Sequence, residues 1–260
     1  MVCSEYMDDL HYTPLALEFS GTGSMNEAEF DRFADEYRRL HSTNIRASGE
    51  APEFFHEYKV KDTAALVRAS HLRSTPRILD FGAGVGNSIP YFHQHIPGCD
   101  LTCLDVSRKS LAIAEQRFPG KACFVACHAH RVPFPDGSFD LVFSACVFHH
   151  IPPAEHAPIL RDWWRVLRPG GVAVVFEHNP YNPLTVHAVK TCPFDNNAVL
   201  IPARKLLWNM RRAGFASPVR QYRIFFPGPL RALRRLEGYL TWLPLGAQYY
   251  VAAWKREHAL

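Results

Sequence analysis

The 260 residues are 47% hydrophobic and 21% charged, with 29 Lys/Arg against 25 Asp/Glu for a formal charge of +4. That balance excludes a disordered, collagen-like or coiled-coil chain and predicts one core domain with appendages. No apolar run approaches the roughly 18–20 residues a membrane span needs, and the acidic start lacks the order of a secretory signal, so a soluble, cytoplasmic protein is expected. Seven cysteines, an odd number with no CxxC pair, fit reduced thiols better than a disulfide framework. Cys123-x3-Cys127-His128-x-His130 has metal-like residues, but 122–126 reads as a buried strand and no second ligand pair follows, so no metal is expected.

In chain order, Asn26 to Ile45 reads as a helix, with Phe30, Phe33, Ala34, Tyr37 and Leu40 at three-to-four spacing. A second helix is predicted from Ala51 to Ala69, with Pro52 in its first turn, and residues 1–75 are expected to form a helical cap. From 76 the grammar changes. Short apolar runs at Ile78–Phe81, Leu101–Val106, Cys123–Ala126, Leu141–Ser144 and Val172–Glu177 alternate with helical stretches near 86–95, 107–118 and 154–167. That alternation predicts an α/β fold with a mostly parallel sheet and helices on both faces. Arg168-Pro-Gly-Gly171 reads as a turn, and residues 178–202, with four prolines, as a loop or lid without a regular element. A helix near 203–213, a strand near 219–226, a helix near 229–240 and a strand near 248–254 follow, the short last connection permitting an antiparallel final pair.

The sharpest motif is Ile78-Leu-Asp-Phe-Gly-Ala-Gly-Val-Gly-Asn-Ser88. A strand runs into Gly82, Gly84 and Gly86, where glycine lets the backbone lie against a ligand. The dinucleotide pattern G-x-G-x-x-G would need Gly or Ala where Asn87 stands. Asp80, two residues before the first glycine, would repel a pyrophosphate and attract a cationic ligand. Asp105 ends the next strand, 19 residues after Gly86, where a carboxylate can accept from both hydroxyls of a ribose.

With these residues the chain resembles the class I S-adenosylmethionine-dependent methyltransferases, in particular the small-molecule group that includes the ubiquinone/menaquinone C-methyltransferases. Asp80 to Gly86 is similar to their first motif and Asp105 to their second; Val132-Pro-Phe-Pro-Asp-Gly-Ser-Phe-Asp-Leu-Val142 and Leu167-Arg-Pro-Gly-Gly171 are similar to later ones. Phe30-Asp-Arg-Phe-Ala-Asp-Glu-Tyr37 is similar to their amino-terminal helix. The resemblance implies a Rossmann-like seven-stranded sheet with an antiparallel last strand, occupying 76–260 with the lid near 178–202. It implies S-adenosyl-L-methionine as cofactor and S-adenosyl-L-homocysteine as product. Asp80, Gly82, Gly84 and Gly86 would hold the methionine part, Asp105 the ribose, Val106 the adenine face, and His128 and Ala129 the adenine edge, with Ser144 also at the cofactor. The family often has Asp where His128 stands, and a neutral His accepts a hydrogen bond less securely.

Methyl transfer from a sulfonium needs alignment and, for a weak nucleophile, a base. The base should project from the ends of the fourth and fifth strands, where His149, His150 and His178 stand; histidine titrates near neutrality. The expected acceptor is a small molecule, an anionic or lipid-linked one included. Nucleic acid is disfavoured, because the Pro-Cys and Asn/Asp-Pro-Pro-Tyr signatures of nucleic-acid enzymes are absent. A catalytically silent cofactor-binding scaffold is the alternative, and a nicotinamide-dependent oxidoreductase a more distant one. Residues 201–260 hold 11 Lys/Arg against Glu237 and Glu257 alone, net +9, while 1–200 carry −5. This basic segment is compatible with peripheral contact to an anionic membrane through the Leu/Arg helix near 229–240. The sequence carries no signal for oligomeric state.

Overall fold

The computed structural model describes residues 49–70, 72–127 and 131–256. The predicted helix at 26–45, and His128 and Ala129, lie outside the described residues.

The first described helix is α1 (Pro52–Ala69), with proline in its first turn, where the missing N–H costs nothing. Five strands and three helices follow: β1 (Arg77–Phe81), α2 (Ile89–His95), β2 (Asp100–Asp105), α3 (Arg108–Arg117), β3 (Cys123–Ala126), β4 (Phe139–Ala145), α4 (His156–Val166) and β5 (Leu167–His178). Then come α5 (Pro183–Thr191), α6 (Ala203–Arg212), β6 (Ala216–Arg223), a 3-10 segment Gly228–Leu236 running into α7 (Glu237–Leu240), and β7 (Gln248–Trp254). The seven strands are ordered β3-β2-β1-β4-β5-β7-β6. β7 runs antiparallel to both of its neighbours, and the remaining pairs are parallel.

Both faces of the sheet are covered, so its central strands are buried on both sides rather than alternating buried and exposed. Successive residues feed opposite cores. Leu79 and Val142 join Leu160, Trp163, Leu206 and Tyr249 on one face. Ile78 and Leu141 join Phe55, Tyr58, Phe92 and Phe176 on the other. Helix α1 therefore packs into the same core as α2, through Phe55, Tyr58, Val60 and Ala64. No helix among the described residues is long and apolar enough to cross a membrane.

Three local expectations are corrected. The segment 178–202 contains a regular element, α5: Asn182 Oδ1 accepts from Thr185 N at 3.0 Å and Pro183 occupies the first turn, so the proline starts a helix instead of breaking one. Arg168 to Gly171 is no free turn but the beginning of β5, held because Gly170 N donates to Lys255 O and Lys255 N to Gly171 O, both at 2.9 Å. The helix near 229–240 is mostly 3-10, and its leucines Leu230, Leu233 and Leu236 stay exposed. Five cysteines (Cys99, Cys103, Cys127, Cys146 and Cys192) are free thiols and Cys123 is disulfide-bonded, which is not a framework.

Candidate active site

In an open parallel sheet, ligands bind beyond the carboxyl ends of the strands where the strand order reverses. Here the reversal falls between β1 and β4, and the predicted residues among those described lie at the carboxyl ends of the strands around it. Asp80 is in β1, in register with Cys103 of β2 and Phe143 of β4; Ser144 is the next residue on β4. Asp80 is 2% exposed, and its Oδ2 has no hydrogen-bond partner among the described residues; the same holds for Ser144 Oγ. Burial, with the charge of Asp105 adding to it, pushes the Asp80 carboxyl up to about 8. A buried acid with an orphan oxygen is an unusual cost in a folded protein. An incoming ammonium would relieve it.

The loop after β1 is shaped by its glycines, all at positive φ. A Cβ on Gly82 would lie 2.4 Å from Val147 Cγ2, and one on Gly86 2.7 Å from Ile89 Cδ1, so these two permit close packing. Gly84 meets nothing within 4 Å and opens the backbone to a ligand. Gly84 N donates to Asp105 Oδ2 at 2.7 Å, and Ser107 N to Asp105 Oδ1 at 2.9 Å. Asp105 therefore braces the loop through both of its carboxylate oxygens. Arg117 holds the loop from α3, donating to Val85 O at 2.6 Å and Asn87 Oδ1 at 2.8 Å. Val106 is buried beside Asp105 in the chain.

The three histidines divide into two groups. His149 and His150 form a 3-10 turn after β4 with Phe148. Glu177, wholly buried near the end of β5, accepts from Phe148 N at 2.7 Å, Val147 N at 3.1 Å and His149 Nδ1 at 2.7 Å. Asp195, beyond α5, faces both rings: its Oδ1 is 3.5 Å from His149 Nε2 and 3.4 Å from His150 Nε2. Burial opposes a charge on His149, but Glu177 and Asp195 outweigh it and raise its pKa to about 10. Burial and the neighbouring His149 charge lower His150 to about 3. A ring that stays protonated between two carboxylates accepts no proton near neutrality, and one held neutral that far down is a weak base.

His178 closes β5 on the other side. Its Nδ1 lies 3.4 Å from Gln248 Nε2, at the start of β7. Gln248 Oε1 accepts from Tyr58 of α1, and Lys59 Nζ of α1 donates to Cys146 Sγ at 3.2 Å. Burial raises the Cys146 thiol, but the Lys59 ammonium and His178 outweigh it and bring it down to about 7. Cys146 also has φ 60, strained for a residue with a side chain. Lys59, Cys146 and Gln248 belong to the crevice and were not singled out from sequence, nor was Asp195 as a partner of the histidines. Cys146 alone left a signal: it stands two residues past Ser144, at the end of a crevice strand.

Fold and crevice together are similar to those of the class I S-adenosylmethionine-dependent methyltransferases. Residues 79–175 match the family model described as a methyltransferase domain, and over that stretch the chain is similar to curated methyltransferases, quinone C-methyltransferases among them. It is 33% identical over 145 residues to an uncharacterized methyltransferase of Synechocystis, covering 55% of this chain and 62% of that protein. It is 33% identical over 111 residues to a demethylmenaquinone methyltransferase of Thermus thermophilus, covering 42% and 50%. The chain thus spans only about half to three fifths of the length of these curated relatives. Among solved structures, it superimposes on a methyltransferase of Thermotoga maritima, titled a possible histamine N-methyltransferase, with a TM-score of 0.64 over 88% of this chain and 99% of that one. At 21% identity, that likeness concerns the fold.

Proposed function

We propose that the chain transfers a methyl group from S-adenosyl-L-methionine to a small-molecule acceptor. The observation that carries this reading is the buried, unpartnered Asp80 Oδ2, with Ser144 Oγ on the adjacent strand, beside a glycine loop that is open at Gly84. Asp80 and Ser144 suit the amino-acid end of the cofactor, Asp105 its ribose and Val106 its adenine. When bound, the cofactor supplies an electrophilic methyl on a positive sulfur. The chain's own contribution is to neutralise the ammonium with Asp80, hold the ribose rigidly and keep a proton acceptor near the acceptor. We assign that last role to the Cys146–His178 pair, with Lys59 and Gln248 positioning it, in place of His149 and His150.

An acceptor with an apolar part suits the surface around the crevice. Tyr181 and Leu184 are exposed next to β5, and Asn182 Nδ2 donates at 2.8 Å to the carbonyl of exposed Leu245. Leu230, Leu233, Leu236, Tyr239 and Trp242 extend this apolar surface along the chain, with exposed Arg231 and Arg235 among them. Apolar side chains interleaved with arginine suit contact with an anionic lipid surface, and the name of the Thermus relative supports a lipid-linked acceptor.

The test is incubation with methyl-labelled donor and separate aqueous and lipid extracts, followed by mass spectrometry for a compound gaining one methyl. Label is expected in the lipid extract, and Asp105→Ala should abolish it while weakening S-adenosylhomocysteine binding more than tenfold. Binding without transfer to either extract would favour the silent scaffold. Failure to bind S-adenosylhomocysteine would overturn the reading.

A further inference from the structure

The His149–His150–Asp195 cluster is not used by this chemistry, and its dimensions say something else. His149 Nδ1 meets Glu177 at 2.7 Å, a charged hydrogen bond of ordinary length. The two contacts to Asp195 Oδ1, at 3.5 and 3.4 Å, are too long for that. Ligand atoms that share one ion at about 2.0–2.1 Å with tetrahedral angles stand about 3.3–3.4 Å apart, whereas cis ligands of an octahedron stand about 2.9 Å apart. Both observed separations match the tetrahedral value. His149 Nε2, His150 Nε2 and Asp195 Oδ1 lie within 4.8 Å of one another.

We propose that these three atoms form a site for a divalent transition-metal ion of the zinc class. The carboxylate of Glu177 on His149 Nδ1 is the arrangement that fixes the tautomer of a metal-binding histidine and aims its other nitrogen at the ion. Two imidazoles and a carboxylate oxygen suit Zn2+, and tetrahedral spacing sets it apart from the octahedral hard cations. The charges agree as well: the ion takes the place of the proton on His149 Nε2, and its two positive charges balance Glu177 and Asp195. Its place in the fold indicates its use. His149 and His150 lie on the turn after β4, and Asp195 on the segment after α5, whose Val199 N already donates to His149 O at 2.7 Å. The ion fastens that segment to the crevice wall. It takes no part in methyl transfer.

Chelator-treated protein, without cofactor or acceptor, should bind one equivalent of Zn2+ in competition with a chromophoric chelator. Co2+ in its place should give the visible absorption of a tetrahedral complex. Asp195→Asn and His150→Gln, each checked for folding by circular dichroism, should each lower Zn2+ affinity more than tenfold and remove the Co2+ bands. Either variant suffices if the other fails to fold. Wild-type uptake well below one equivalent, or unchanged affinity in a folded variant, would overturn the site. Neither readout depends on methyl transfer, so failure of the proposed function leaves this test intact.

Discussion

Replacing Asp80 with Asn probes the crevice through both stability and binding. In the unfolded chain Asp80 ionises near its ordinary 3.8; folded, with no cation beside it, at about 8. Between those values the fold retains a proton that the unfolded chain has released. The contribution of this group to stability is therefore complete below pH 3.8 and declines as the pH rises through about 8. From pH 5 to pH 7 the decline amounts to about 3 kcal/mol at 1.36 kcal/mol per pH unit, a ceiling that water reaching the crevice lowers. Asn keeps the shape and does not ionise, and whatever its amide costs is the same at both pH values. Thermal unfolding without cofactor should show the variant gaining on the wild type between pH 5 and 7 by up to about 6–12 °C. Calorimetry with S-adenosylhomocysteine, which carries the same ammonium, should show the opposite sense. The variant binds more weakly, while the wild type binds more tightly as the pH rises toward 8, because the ammonium displaces a proton. Parallel melting profiles for the two proteins, or wild-type affinity independent of pH below 8, would refute the assignment of Asp80.

Two further outcomes follow from the loop and from the thiol. Gly82→Ala places a methyl 2.4 Å from Val147 at φ +77 and should cost about 2–3 kcal/mol of stability; Gly84→Ala meets nothing and should cost only about 1 kcal/mol, yet weaken S-adenosylhomocysteine more than tenfold. Urea unfolding and calorimetry separate the two, and equal destabilisation would count against the open face of Gly84. Alkylation of Cys146 by iodoacetamide, followed by peptide mapping, should show a pH midpoint near the thiol's value of about 7. Lys59→Met should move that midpoint toward the ordinary 9 and slow the reaction at pH 7 about tenfold or more; a midpoint that stays put would remove Lys59 from the site.

The sheet was legible because its signal is local. Each central strand is a short apolar run bounded by breakers, and Gln248–Trp254 emerges with the expected limits. The glycine loop, Asp80 and Asp105 were legible because the cofactor role proposed for them requires particular residues at particular spacing. Helix α5 was hidden by the two meanings of proline: Pro183 reads as a breaker unless Asn182 is seen as its cap. The acceptor side was hidden because it is tertiary. Lys59 reaches Cys146 across 87 residues, and Tyr58 reaches Gln248 across 190. Nothing near Cys146 in the chain says that an ammonium will lie beside it. The histidines at the ends of the fourth and fifth strands were legible, but the partners of His149 and His150 were not, since Glu177 lies 28 residues from His149 and Asp195 lies beyond a further helix.

The two sides of the crevice are tuned in opposite directions from one starting point. Burial raises the pKa of both Asp80 and Cys146, because it disfavours either anion. At Cys146 the protein supplies the compensating charge itself, from Lys59 and His178, so a proton acceptor exists at neutral pH before any ligand arrives. At Asp80 the charge that acts among the described residues is another carboxylate, Asp105, which makes matters worse. The compensation there has to come from outside, as a cation. Paired groups pushed apart in this way mark the division of labour in an acid–base site. On the function proposed above, the division separates the side that waits for a positive donor, at Asp80, from the side prepared to deprotonate an acceptor, at Cys146.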